Sequence, residues 1–254
     1  LAQRLLRISG AFDASLATGL SGWLVPFVVL SLLGIWLGLI PTLLLFTLGL
    51  FLTSRFQLQP QPVPLHEALS LLMLTLLSLL VRLAFIKDLL LPSYFDSAQH
   101  YLLIRNLVEP LANLPVGAAY YHQGFHWGVA WLVSLFGSQI GATMLVFGQV
   151  LLAFTPVGVY GFVRRVSGSH AAGLLAFILA GWGWYMPAHA ANWGKYPAIA
   201  SLSLLPFVVW LLYETTQTRR KALFIYSAVS VICVSLLHSR SLIALGLLVV
   251  AWVC

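Results

Sequence analysis

Residues 14–54 carry no acidic or basic side chain, and wound as one α-helix they would reach about 60 Å, twice the hydrocarbon thickness of a bilayer. Two short crossings turning near residues 34–41 fit this stretch better than one. A water-soluble globule could not cover such a segment, because 61% of the 254 residues are hydrophobic and only 7% are charged. The expected fold class is therefore all-α, a polytopic transmembrane helix bundle forming a single domain over residues 1–254.

Further apolar runs continue the pattern. Residues 68–86 form a span broken only by Arg82, which is expected to snorkel from the helix end. Residues 140–163, 171–188 and 197–213 are uncharged and long enough to cross, the last with Pro197 at a helix start where its missing N–H is harmless. Residues 222–237 make a shorter crossing. Residues 242–254 read as an unfinished one, so the C-terminus is expected to be truncated. The formal charge of +7 is scattered between these runs rather than gathered along a groove, which excludes a nucleic-acid partner and fits the bias of membrane loops. Cys233 and Cys254 lie inside apolar runs and suit neither a disulfide nor a metal site.

Orientation follows from Lys and Arg in short loops. Arg164 and Arg165 form one basic loop, and Arg219, Arg220 and Lys221 form another two spans later, so both face one side. That side is assigned to the cytoplasm, with Arg4, Arg7 and Arg55. The opposite side then holds Asp88, Asp96, His100, Arg105, Glu109, His122, His126, His189, Lys195, His238 and Arg240. Residues 97–138 fall between a span that ends outside and one that begins outside. They are expected to form an external loop with two interfacial helices, over residues 97–109 and 125–136.

Four polar segments punctuate that outer side. In YFDSAQHY (residues 94–101), the Asp96 carboxylate could take a proton from an attacking hydroxyl, with His100 a helical turn away. Asp96 followed by Gln99 also has capping-box spacing, so it could equally cap the surface helix. In YYHQGFHWG (residues 120–128), His122 and His126 at i and i+4 could hold a metal or line a polar substrate pocket; an aromatic interfacial belt has the same composition. In NWGKYP (residues 192–197), Asn192 and Lys195 could face a phosphate or a sugar, and a loop cation touching headgroups is the plainer alternative. In LLHSR (residues 236–240), His238 and Arg240 interrupt two apolar runs, and Arg240 needs an anion, supplied by a phosphate, Glu109, Asp88 or a headgroup.

These segments together resemble the GT-C class of membrane glycosyltransferases, which use polyprenyl-phosphate-linked sugars. The points of likeness are Asp96 at the start of the first large external loop, two surface helices in that loop, and polar later loops. The resemblance implies sugar transfer on the non-cytoplasmic face, as of a bacterial plasma membrane. Asp96 would be the catalytic residue, and His100, His122, His126, Asn192, Lys195, His238 and Arg240 would bind the lipid-linked donor. No cofactor is implied; Asp96 lacks the second acidic neighbour that a divalent-metal mechanism would use. Without the resemblance, the same residues suit an accessory subunit contacting membrane-protein partners, or a transporter, although a transporter would carry its ionisable groups at mid-membrane.

Single-cysteine labelling with a membrane-impermeant maleimide tests the sidedness. A cysteine at position 220 should stay unlabelled in intact cells and one at position 195 should react; the reverse pattern rejects the assignment.

Overall fold

The computed structural model describes residues 64–93, 95–109, 122–183, 194–219 and 221–253. These residues are helical without any strand: α1 (Leu65–Ile86), α2 (Phe95–Val108), α3 (Gly124–Phe136), α4 (Ile140–Ser167), α5 (His170–Gly181), α6 (Tyr196–Thr218), α7 (Lys221–Leu237) and α8 (Arg240–Val253). Within α1, α4 and α6 lie three segments long and apolar enough to cross a membrane, Leu65–Ile86, Ile140–Ser167 and Tyr196–Gln217.

Local chemistry sets the joints. Gly168 adopts a left-handed φ of 69° and closes α4 by donating its N–H to the Arg164 carbonyl, and the Ser169 side chain then accepts from the Ala172 N–H to start α5. Gly137 ends α3 in the same way, with φ 61°. Pro197 stands in the first turn of α6, as its sequence position predicts.

The centre of the bundle is α4, which runs parallel to α6 and antiparallel to α1 and α5. Its register against α6 is cut by glycines. A Cβ on Gly148 would collide with the Tyr196 ring, one on Gly161 with Trp210, and one on Gly158 would press on Pro206 and Phe207. From the other flank, Gly173 and Gly181 of α5 let Tyr160 and Pro156 of α4 approach closely. Small residues replace side-chain volume with backbone contact, the usual means of holding helices where no water drives them together.

Ion pairs lock one end of this core. Arg164 Nη2 lies 2.8 Å from Glu67 Oε2 at the start of α1, and Arg165 Nε lies 2.5 Å from Glu214 Oε1 near the end of α6. Tyr160 donates to Glu67 (3.3 Å) and meets His170 Nδ1 at 2.9 Å, while Trp210 Nε1 donates to Glu214 (3.4 Å). Both glutamates are buried. The helix directions thus place Arg164, Arg165, Arg219 and Lys221 at one end of the bundle, and Asp96, His100, His122, His126, Lys195, His238 and Arg240 at the other.

Three expectations change. Arg82 does not snorkel: its guanidinium reaches Ser78 Oγ (3.4 Å) and the Gly181 carbonyl (3.3 Å), where the negative end of the α5 dipole satisfies it inside the protein. The run 171–188 is not one continuous helix, because α5 ends at Gly181 in a turn through Trp182 and Gly183, and its 12 residues span about 18 Å. Helix α3 is not laid on a surface along its length; Phe125, Val129, Ala130 and Val133 are buried in the main apolar core with Met144, Tyr196 and Val234, and His126 is buried as well. Residues 14–54, including the proposed pair of crossings, lie outside the described residues, as do 110–121 of the loop.

The glycine register makes a stability prediction. Gly161→Leu forces a side chain into Trp210 and should destabilise the bundle by about 1–3 kcal/mol or more, read as a lower melting temperature of the detergent-purified protein. Gly246→Ala, on α8 with open space beside it, should leave the melting temperature within a degree or two.

Candidate functional site

Four histidines from three separate places in the chain converge at the end of the bundle opposite the ion pairs. His100 of α2 and His126 of α3 are both buried, with His100 Nδ1 3.1 Å from His126 Nε2 and ring centroids 5.1 Å apart. One of those two nitrogens carries the proton and the other accepts it. His122, ahead of α3, stacks on His238 at a centroid distance of 5.2 Å and a tilt of 33°.

The packing beneath explains the convergence. Gly124, the first residue of α3, sits against the backbone of Leu236 and Leu237 at the end of α7, so the α7–α8 turn delivers His238 beside His122. Phe125 fills the space under the pair, its ring 5.9 Å from His126, 5.7 Å from Phe147 and 6.1 Å from Tyr196. Gly194 takes a φ of 66° and abuts Ser97 of α2 so closely that a Cβ there would collide with the serine. That turn seats Lys195 at the start of α6, next to α2.

Asp96 lies in the first turn of α2, inside the helix rather than at its cap, and no capping hydrogen bond to it occurs among the described residues. The capping-box reading is thereby corrected. Its carboxylate acts on His100: burial pushes that imidazole down to about 4, against the opposing pull of Asp96. Burial also lowers His126, to about 3, with His100 adding to the effect. His238 falls to about 4 through burial first, then through His122, Arg240, His100 and Lys195. Both cations therefore bear on a single imidazole, together with two further histidines.

Arg240 begins α8, is exposed, and its own backbone N–H donates to His238 Nδ1 at 3.1 Å. The carboxylates that could have satisfied its guanidinium are otherwise occupied: Glu109 pairs with Arg105 at 3.0 Å, and Asp88 lies 3.9 Å from Lys87. Chemically the site offers neutral imidazoles, each a donor and an acceptor, ringed by two cations and one carboxylate.

Of the residues predicted from sequence, Asp96, His100, His122, His126, Lys195, His238 and Arg240 share this end of the bundle, and Asn192 lies outside the described residues. His122 and His126 do not act as an i, i+4 pair on one helix, because α3 starts only at Gly124 and each histidine faces a partner from elsewhere. Among the described residues no group of three or more His, Cys, Asp or Glu side chains is arranged to hold a metal ion. Ser97, Phe125 and Gly194 escaped the sequence reading. Only Gly194, between Trp193 and Lys195, carries a recognisable turn signal.

The depressed histidines give a pH prediction. Ordinary imidazoles titrate near 6.5, so between about pH 6.5 and 4 the unfolded chain gains protons that the folded cluster refuses. Stability from these groups is complete above pH 6.5 and is lost as pH falls through that window. The melting temperature of the purified protein should drop between pH 7.5 and 4.5, and His100→Gln with His126→Gln should flatten that slope.

A family model described as "Family of unknown function (DUF6541)" matches residues 8–254. No curated protein and no solved structure matches the chain.

Proposed function

The chain belongs to that family of unknown function (DUF6541), and we propose that this member is a polytopic membrane glycosyltransferase of GT-C type, using a polyprenyl-phosphate-linked sugar on the non-cytoplasmic face. The observation that supports the reading is the meeting of His100 with His126 and of His122 with His238 at the end of the bundle where Asp96, Lys195 and Arg240 also stand.

A lipid-linked donor keeps its tail in the bilayer and its phosphate at headgroup depth, so its site needs cations at the end of a helix bundle and a base beside them. Lys195 supplies a point charge and Arg240 a planar fork for the phosphate. The neutral histidines hydrogen-bond sugar hydroxyls without competing for the anion. The acceptor hydroxyl attacks the anomeric carbon, the carbon–oxygen bond to the phosphate breaks, Asp96 receives the hydroxyl proton, and polyprenyl phosphate leaves with the bond's electron pair. Helices α2 and α3 stand at the outer face in this reading, with the basic end of the bundle in the cytoplasm, as of a bacterial plasma membrane.

Transfer of labelled sugar from a polyprenyl-phosphate donor to acceptors extracted from the native membrane, by the full chain in liposomes, tests the assignment. Asp96→Asn should cut turnover by roughly 10²–10⁴-fold with donor binding retained, as loss of a general base does. Arg240→Gln should weaken donor binding roughly tenfold, as loss of a charged hydrogen bond does. Full turnover by Asp96→Asn removes the catalytic role, and unchanged donor binding by Arg240→Gln removes the phosphate site.

A further inference from the structure

The opposite end of the bundle, about 30 Å away along α6, is grooved. Between α6, α7 and α8 runs an apolar groove of about 480 Å³, walled by Leu212, Phe224, Leu245 and Leu248. It continues past Thr215, Thr216 and Phe224 into a second hollow of about 490 Å³, whose lining ends in Arg219 and Lys221. The groove is thus greasy along its length and cationic at its mouth. No acidic residue lines either hollow. The nearest carboxylate on α6, Glu214, is buried and engaged by Arg165 and Trp210.

Arg219 is itself unusual. Its φ of 51° makes it the one non-glycine residue with a left-handed backbone among the described residues. It occupies the position after the α6 C-terminus where glycine is the ordinary choice, because a side chain there costs roughly 1 kcal/mol. The neighbouring hydroxyls are spoken for by the helices: Thr215 Oγ1 bonds the Leu211 carbonyl and Ser227, and Thr216 Oγ1 bonds the Tyr213 carbonyl. Neither threonine therefore competes for an anion at the mouth, and the hollow presents its two cations to whatever enters.

We propose that this groove is a binding site for an anionic phospholipid, its phosphate held by Arg219 and Lys221 and one acyl chain lying in the trough toward Leu245 and Leu248. The charge pattern matches an amphiphile with a negative head and an apolar tail: cations stand only at the mouth and apolar side chains line the rest. Both cations belong to the basic segment 219–221, which the distribution of Lys and Arg assigns to the cytoplasmic leaflet. The site takes no part in the chemistry assigned to the histidine cluster, so it stands or falls independently of the transferase reading.

Native mass spectrometry of the full chain in detergent, titrated with phosphatidylglycerol or phosphatidylcholine of matched chains, tests it. Phosphatidylglycerol should be retained in preference. Arg219→Gly removes the charge while easing the backbone, and combined with Lys221→Gln it should weaken phosphatidylglycerol retention roughly fivefold per cation without lowering the melting temperature. Leu248→Trp fills the trough with the charges intact and should weaken retention of the same lipid. Equal retention of the two lipids, or unchanged retention by either variant, overturns the site. So does displacement of the lipid by millimolar glycerol phosphate alone, because a tail that adds nothing to binding is not lying in the groove.

Discussion

The close contact of α4 with α6 is the constraint on which the rest of the structure rests. In an apolar medium helices gain nothing from expelling water, so they associate through backbone proximity and polar bonds. Gly148, Gly158 and Gly161 supply the proximity, each receiving a ring from α6, and Arg165 with Glu214 fixes the axial register at the far end. A slip of one helical turn would part Glu214 from the Arg165 guanidinium that it meets in this register. Arg164 extends the same logic to α1 through Glu67. Removing one partner of a buried ion pair costs far more than the pair contributes, so these bonds specify arrangement more than they add stability.

Register at one end positions chemistry at the other. With α6 fixed, Tyr196 seats in the notch at Gly148 and Lys195 stands at the N-terminal tip of the helix, held there by the left-handed turn at Gly194. Phe125 packs against the Tyr196 ring and carries His126 with it to His100. Helix α7 returns antiparallel to α6, tied to it by Thr215 and Ser227 (2.6 Å), and ends against Gly124, which brings His238 to His122. The cluster is the consequence, at the bundle's end, of contacts made in the core.

The sequence made legible whatever depends on composition along a single helix. Long uncharged runs gave α1, α4, α6 and α7 with boundaries within a few residues, and Pro197 marked the start of α6. The alternation of basic loops separated Arg164 and Arg165 from Lys195 and Arg240, and the bundle puts those pairs at opposite ends. What stayed hidden is what depends on a partner. Arg82 looks like a snorkelling cation until the end of α5 is placed beside it, and α5 looks like a full span because nothing in an apolar run announces a turn at Trp182. His122 and His126 invited pairing with each other, four residues apart. Their partners, His238 and His100, are 116 and 26 positions away, and periodicity carries no information at such separations.

The two ends of the bundle use the same cations for different purposes. Arg164 and Arg165 are held by buried carboxylates, so their charge is consumed internally and their contribution is architectural. At the other end the Arg240 backbone N–H donates to His238, an imidazole lowered to about 4 by burial first and by Arg240 and Lys195 after it. A neutral ring beside a cation does not cancel its field, whereas a carboxylate would. Histidine is polar enough to hydrogen-bond its neighbours and, kept neutral by burial, leaves the cation's field uncancelled. Replacing His238 by a carboxylate would convert this end into a copy of the other, with an internal ion pair where a neutral ring now stands beside the cation.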